Sequence, residues 1–179
     1  MFWTRLTISL IEFLLSALLA VFITFWSYRS FDRFNHAYNA QEEIYKGNVA
    51  VAILMAALMY GAALIMRESI YPVISIVTVW FTGDAEGGHS LLLMAGYAFG
   101  HLVFGFLLSV GCVQLAMKLF GWLNREIDEN EQIASGNVSV AIIMSAVILI
   151  VSMFMQQGVG ALTKSLIPQP KLGVLRMMD

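Results

Sequence analysis

Charge is what this sequence has least of. Asp, Glu, Lys and Arg make up 12% of its 179 residues, whereas 59% are hydrophobic, and the mean hydropathy is +0.78. A soluble domain averages about 25% charged and about 45–50% apolar residues, so the solvent for most of this surface is lipid. A net charge of −2, with no block of Lys or Arg, excludes a nucleic-acid footprint. The lone cysteine, Cys112, excludes an intrachain disulfide. Catalytic motifs are missing too: there is no His-Glu-x-x-His, no Gly-rich phosphate loop and no cysteine pair. His101 is the one histidine in an apolar segment, which rules out bis-histidine haem ligation within one subunit. His89 with Asp84 and Glu86 is a short loop grouping, poorly suited to hold a metal. The chain is accordingly expected not to be an enzyme, and to need no metal or cofactor.

Long apolar runs stand in place of charge. Residues 6–27, 47–66, 91–120 and 138–155 are each long enough to cross a hydrocarbon core of about 30 Å. The first is not a signal peptide. A secretory apolar core is about 7–15 residues long and ends in small residues, whereas this run is followed by Tyr28-Arg29-Ser30-Phe31-Asp32-Arg33. Trp3 and Trp26 bracket it at a spacing of about 35 Å, matching two interfacial aromatic belts, with Trp80 and Trp122 at the corresponding faces. A shorter run, 70–81, carries Pro72 near its start and reads as an interfacial or re-entrant segment. Its counterpart at 159–167 is interrupted by Lys164.

The segment 82–90, Thr-Gly-Asp-Ala-Glu-Gly-Gly-His-Ser, is the seam between two units, 1–89 and 90–179. Within each unit a polar connector joins two apolar runs. Phe31, Phe34, Tyr38 and Tyr45 in the first, and Phe120, Leu123, Ile127 and Ala134 in the second, fall at a helical period. Asp32, Arg33, Glu42 and Glu43, or Arg125, Asp128 and Glu129, occupy the wetter side, so the connectors are expected to be amphipathic helices. Basic residues do not settle orientation. Arg29, Arg33, Lys46, Lys118 and Arg125 on the connector side balance Arg5, Arg67, Lys164, Lys171 and Arg176 on the other. The flanks of the first run favour cytoplasmic connectors.

The two units are written alike. Gly47-Asn48-Val-Ala-Val-Ala-Ile-Leu-Met-Ala-Ala returns 89 residues later as Gly136-Asn137-Val-Ser-Val-Ala-Ile-Ile-Met-Ser-Ala. Two spans per unit give both units the same orientation, a parallel rather than inverted repeat. Gly47 and Gly136 break the chain, Asn48 and Asn137 cap a helix start, and both asparagines are placed to line a polar entrance. Ala52, Ala56 and Ala57, with Ala141, Ser145 and Ala146, suggest a small-residue packing face, and Gly96-x-x-x-Gly100 is a further close-packing motif. The Met-rich stretches read as apolar filling. The same offset aligns Glu12 with His101, two ionisable residues in apolar helices and the candidate ion or proton site.

With Asn48, Ala50 and Ala52 answered by Asn137, Ser139 and Ala141, the chain resembles the YjfL-type family of bacterial inner-membrane proteins over most of residues 6–160. The resemblance implies a duplicated two-helix domain of unknown function in the inner membrane, and it supplies no reaction or catalytic residues. The longer connectors and the acidic, His-containing seam depart from its compact members.

The expected architecture is all-α, with four transmembrane helices in two parallel two-helix repeats joined by amphipathic connectors. It is expected to work as a homo-oligomer or as part of a membrane complex, with the lipid bilayer as its other partner. Two functions fit: an oligomeric ion or proton pathway using Glu12 and His101, or a scaffold whose connectors recruit a soluble partner.

Overall fold

The computed structural model describes residues 2–34, 38–82, 91–123 and 128–165. Among them every regular element is a helix: α1 (Phe2–Phe34), α2 (Ala40–Tyr45), α3 (Val49–Arg67), α4 (Ile70–Thr82), α5 (Leu91–Leu123), α6 (Glu129–Ala134) and α7 (Val138–Ser165). Outside the described residues lie the seam with Asp84, Glu86 and His89, together with Arg125, Ile127, Lys171 and Arg176. Four stretches are long and apolar enough to cross a membrane: Phe2–Phe31, Val49–Thr78, Leu92–Trp122 and Val138–Ser165. The four-span, all-α architecture expected from the sequence is the one observed. At about 1.5 Å per residue each exceeds a core of about 30 Å, a length that suits a tilted span or one projecting into the interface.

Helix α3 is the centre of the bundle. In its most apolar stretch 56% of residues are buried, against 11% in α1 and 28% in α5 and α7. Leu54, Leu58 and Ile65 of α3 are almost fully enclosed, alongside Ile148 of α7, Val113 of α5 and Ile23 of α1. Lipid is as apolar as leucine, so this packing rests on close contact rather than on escape from water. α3 and α7 approach closely at Gly61, where an added methyl would come within 2.5 Å of Ser152 Oγ. The small-residue face expected at the repeat is only partly used: Ala57, Ala141 and Ser145 are buried, whereas Ala52, Ala56 and Ala146 are exposed. Residues four apart share a helix face: Ala141 and Ser145 turn theirs inward, Ala52 and Ala56 turn theirs outward, and Ala57 and Ala146 lie about 100° round from them.

Contacts fix the directions. Gly61 lies beside Ile148 and Ser152, so α3 and α7 run side by side. Ser109 Oγ donates to the Ala62 carbonyl at 2.8 Å, and Gly105 lies against Ser69, which makes α5 antiparallel to α3. Phe22 and Trp26 pack on Phe106, at ring separations of 5.4 and 6.2 Å, setting α1 against α5. Thr7, Thr24 and Thr78 keep their hydroxyls satisfied inside apolar helices by donating to the carbonyl four residues back.

The connectors begin as continuations of α1 to Phe34 and of α5 to Leu123, and end as the short capped helices α2 and α6. Asn39 accepts a hydrogen bond from the Glu42 amide, and Asp128 accepts from those of Asn130 and Glu131. Gly47 and Gly136 end these helices at φ of 83° and 88°, where a side chain would be strained. Phe31 and Phe120 are buried as their spacing suggested, while Tyr45 stands exposed. The side chains of Phe34 and Leu123 lie outside the described residues.

The run 70–81 lies in α4, which through Thr78 belongs to the single apolar span Val49–Thr78. Pro72 explains the break between α3 and α4. It has no N–H to give the Glu68 carbonyl, and its ring collides with that carbonyl in a continuous helix. The chain tightens instead, with the Glu68 and Ser69 amides donating three residues back, to Ile65 and Met66.

Candidate functional site

The break places a carboxylate at the end of α3 away from the connectors. Glu68 ends α3, and its Oε1 accepts a hydrogen bond of 2.8 Å from Gln156 Nε2 on α7. Its Oε2 rests over Gly160, where an added methyl would come within 2.6 Å of it. Gly160 therefore opens the notch that the carboxylate occupies. Arg67 Nη2 stands 3.9 Å from Oε1, but its side chain is 63% exposed while that of Glu68 is 20% exposed. That loose ion pair is weak beside the amide hydrogen bond.

Two buried hydroxyls lie on the neighbouring turns. Ser69, next in the chain, is fully buried against Gly105, and its Oγ has no hydrogen-bond partner among the described residues. Ser152, one turn before Gln156, is equally enclosed and unpartnered. One turn beyond Gly160, Lys164 lays its ammonium over the Tyr71 ring, 5.4 Å from the centroid. An intramembrane span tolerates irregular backbone only where protein or a cavity covers it. Here the Glu68 carboxylate and the Gln156 carboxamide meet at it, with Ser69 buried against α5. A carboxylate with two acceptor oxygens can take up a proton there.

The residues singled out in the sequence lie elsewhere. Glu12 is exposed on α1, and no hydrogen bond or ion pair involves it among the described residues. His101 is buried on α5 and lines an open groove. The structure does not bring the two into contact. With Phe106 set against Phe22 and Trp26, His101 stands level with about residues 17–21 of α1, roughly 7–14 Å along the axis from Glu12. Asn48 and Asn137 do cap α3 and α7, accepting from the amides of Val51 and Val140. Asn48 reaches further, donating to the Ile133 and Ala134 carbonyls at 3.1 and 3.0 Å and to Glu43. Asn137 donates to Gln132 of its own connector. No group of three or more His, Cys, Asp or Glu suited to a metal ion occurs among the described residues.

The match to known families covers these elements from α1 into α7: the family described as Domain of Unknown Function (DUF350) matches residues 4–159. The chain belongs to the DUF350 family. No curated protein and no solved structure matches it. In this DUF350 chain the break site escaped sequence reading because Arg67-Glu68-Ser69 lies between two apolar runs and resembles an ordinary helix end. Two signals could have found it. Pro72 stands four residues after Glu68, and the 89-residue offset sets Arg67-Glu68 against Gln156-Gln157.

Proposed function

We propose that this DUF350 chain is a bacterial inner-membrane protein that binds and passes a proton or small cation, with Glu68 as the binding group. The observation that carries the reading is the largely enclosed Glu68 carboxylate, held by Gln156 at a break inside an apolar span. Ionisable groups placed inside membrane spans are expensive, and they mark ion and proton routes. Helix breaks serve the same end in transporters, where unwound backbone and polar side chains meet the ion. The ion-pathway function expected from the sequence is thus kept, but centred on Glu68 rather than on Glu12 and His101. We also read the chain as a duplicated two-helix unit of the YjfL type, with cytoplasmic connectors. The matching turns at Gly47-Asn48 and Gly136-Asn137 support the duplication.

The test is flux of protons and monovalent cations into proteoliposomes holding the full chain. Glu68→Gln should lower the flux at least tenfold and Gln156→Leu severalfold, while Glu12→Gln stays within about twofold of the parent. Undiminished flux in Glu68→Gln, or no flux in the parent chain, sinks the reading. The scaffold alternative draws on Glu42, Asp128 and Glu131, acidic residues exposed on connectors that Asn48 ties together. Reversing those charges should then abolish co-purification of a soluble partner.

A further inference from the structure

One face of α5 is open. Leu93, Gly96, Tyr97, Gly100, His101 and Phe104 line a groove of about 520 Å³. A methyl on Gly96 or Gly100 would meet nothing within 4 Å, so neither glycine is required by packing inside the chain. His101 borders the groove differently: it is only 8% exposed, and it has no hydrogen-bond or ion-pair partner among the described residues. A neutral imidazole carries one N–H donor and one nitrogen acceptor. In a hydrocarbon surround water cannot satisfy either, and each unmet polar group is costly.

We propose that α5 of a second copy of this chain fills the groove, in a two-fold dimer that sets His101 against the partner's His101. The lining residues recur at steps of three and one, the spacing of a single helix face with small residues at i and i+4. Two such faces cross closely at about −40°, backbone against backbone. A two-fold axis along the membrane normal keeps both copies in one orientation, so like residues meet at like depth. One imidazole then donates its N–H and the other accepts it on its bare nitrogen. An acyl chain could cover the glycines, but it would leave both imidazoles unmet, which favours the second copy. This proposal stands apart from the Glu68 reading and survives its failure.

Disulfide mapping of the full-length chain in phosphatidylethanolamine–phosphatidylglycerol vesicles tests it, on a Cys112→Ser background with a copper–phenanthroline oxidant. Single cysteines at Leu93, Tyr97 and Phe104 should form covalent dimers at least fivefold faster than cysteines at Ala95 and Phe99, which lie at similar depth on other faces. Gly96→Leu and Gly100→Leu point into open space and so leave the fold intact. Each should cut cross-linking at position 93 at least fivefold, and His101→Ala should cut it severalfold. Equal rates at all five positions, or undiminished cross-linking in both glycine variants, overturn the dimer. So does native mass spectrometry showing a monomer that retains a phospholipid, lost on Gly100→Leu.

Discussion

Asn48 and Asn137 occupy the same place in two copies of one turn, yet their amides are committed differently. Both cap a helix, but only Asn48 spans to the other connector, on the carbonyls of Ile133 and Ala134. Removing it leaves two carbonyls and the Glu43 carboxylate short of a donor, besides losing the cap. Asn48→Ala should therefore cost about 2–3 kcal/mol and Asn137→Ala about 1 kcal/mol, measured by reversible unfolding in mixed micelles. Acid separates the two turns further. Hydrogen bonds from Lys46, then Asn48, hold the Glu43 carboxyl below its ordinary value. A group so lowered stabilises the fold above the ordinary glutamate value and loses that contribution as pH falls through its lower folded value. The matching position in the second turn is Gln132, which does not titrate. Amide exchange at Lys46–Asn48 should thus quicken below about pH 4 while exchange at Ser135–Asn137 does not; equal responses refute the assignment.

Among the elements, the α3–α4 pair shows where sequence reading stops. The apolar runs, the two caps and the glycine turns were legible because each is set by neighbours within about four residues. The break at Glu68 was not, since a proline ending one helix and a proline inside a bent span look alike locally. What distinguishes them is tertiary: Gln156 and Gly160 lie 88 and 92 residues away in the chain and come to meet the carboxylate. Glu12 and His101 were paired by alignment, but alignment carries no axial register, and the rings on Phe106 set one that separates them. Pro72→Ala should restore an amide to the Glu68 carbonyl and straighten the span. Slower amide exchange through residues 68–72, with a loss of flux approaching that of Glu68→Gln, is the expected result. Full flux through a straightened span would detach the break from the function.

For the whole molecule, the burial gradient decides what holds it together. A helix packed on three neighbours opens only when the bundle does, whereas one facing lipid along most of its length can open alone. In hydrogen exchange α3 should be the most protected helix and α1 the least. A lipid-soluble photolabel should mark Phe13, Leu18 and Phe25, which are exposed on α1, and spare Leu54 and Leu58. Heavy labelling of α3 would mean that the bundle is built around another helix.

The central place of α3 also sets an order in time. It is made after α1 and before α5, so two of the three helices that enclose it, α5 and α7, are made later. Asn48 must likewise wait for Ile133 and Ala134 to be synthesised before its amide finds those carbonyls. Until then the growing chain holds a helix fit for a protein interior with lipid where α5 and α7 will pack. The innermost helix precedes two of its neighbours into the membrane, so its packing is completed only when α7 is in place.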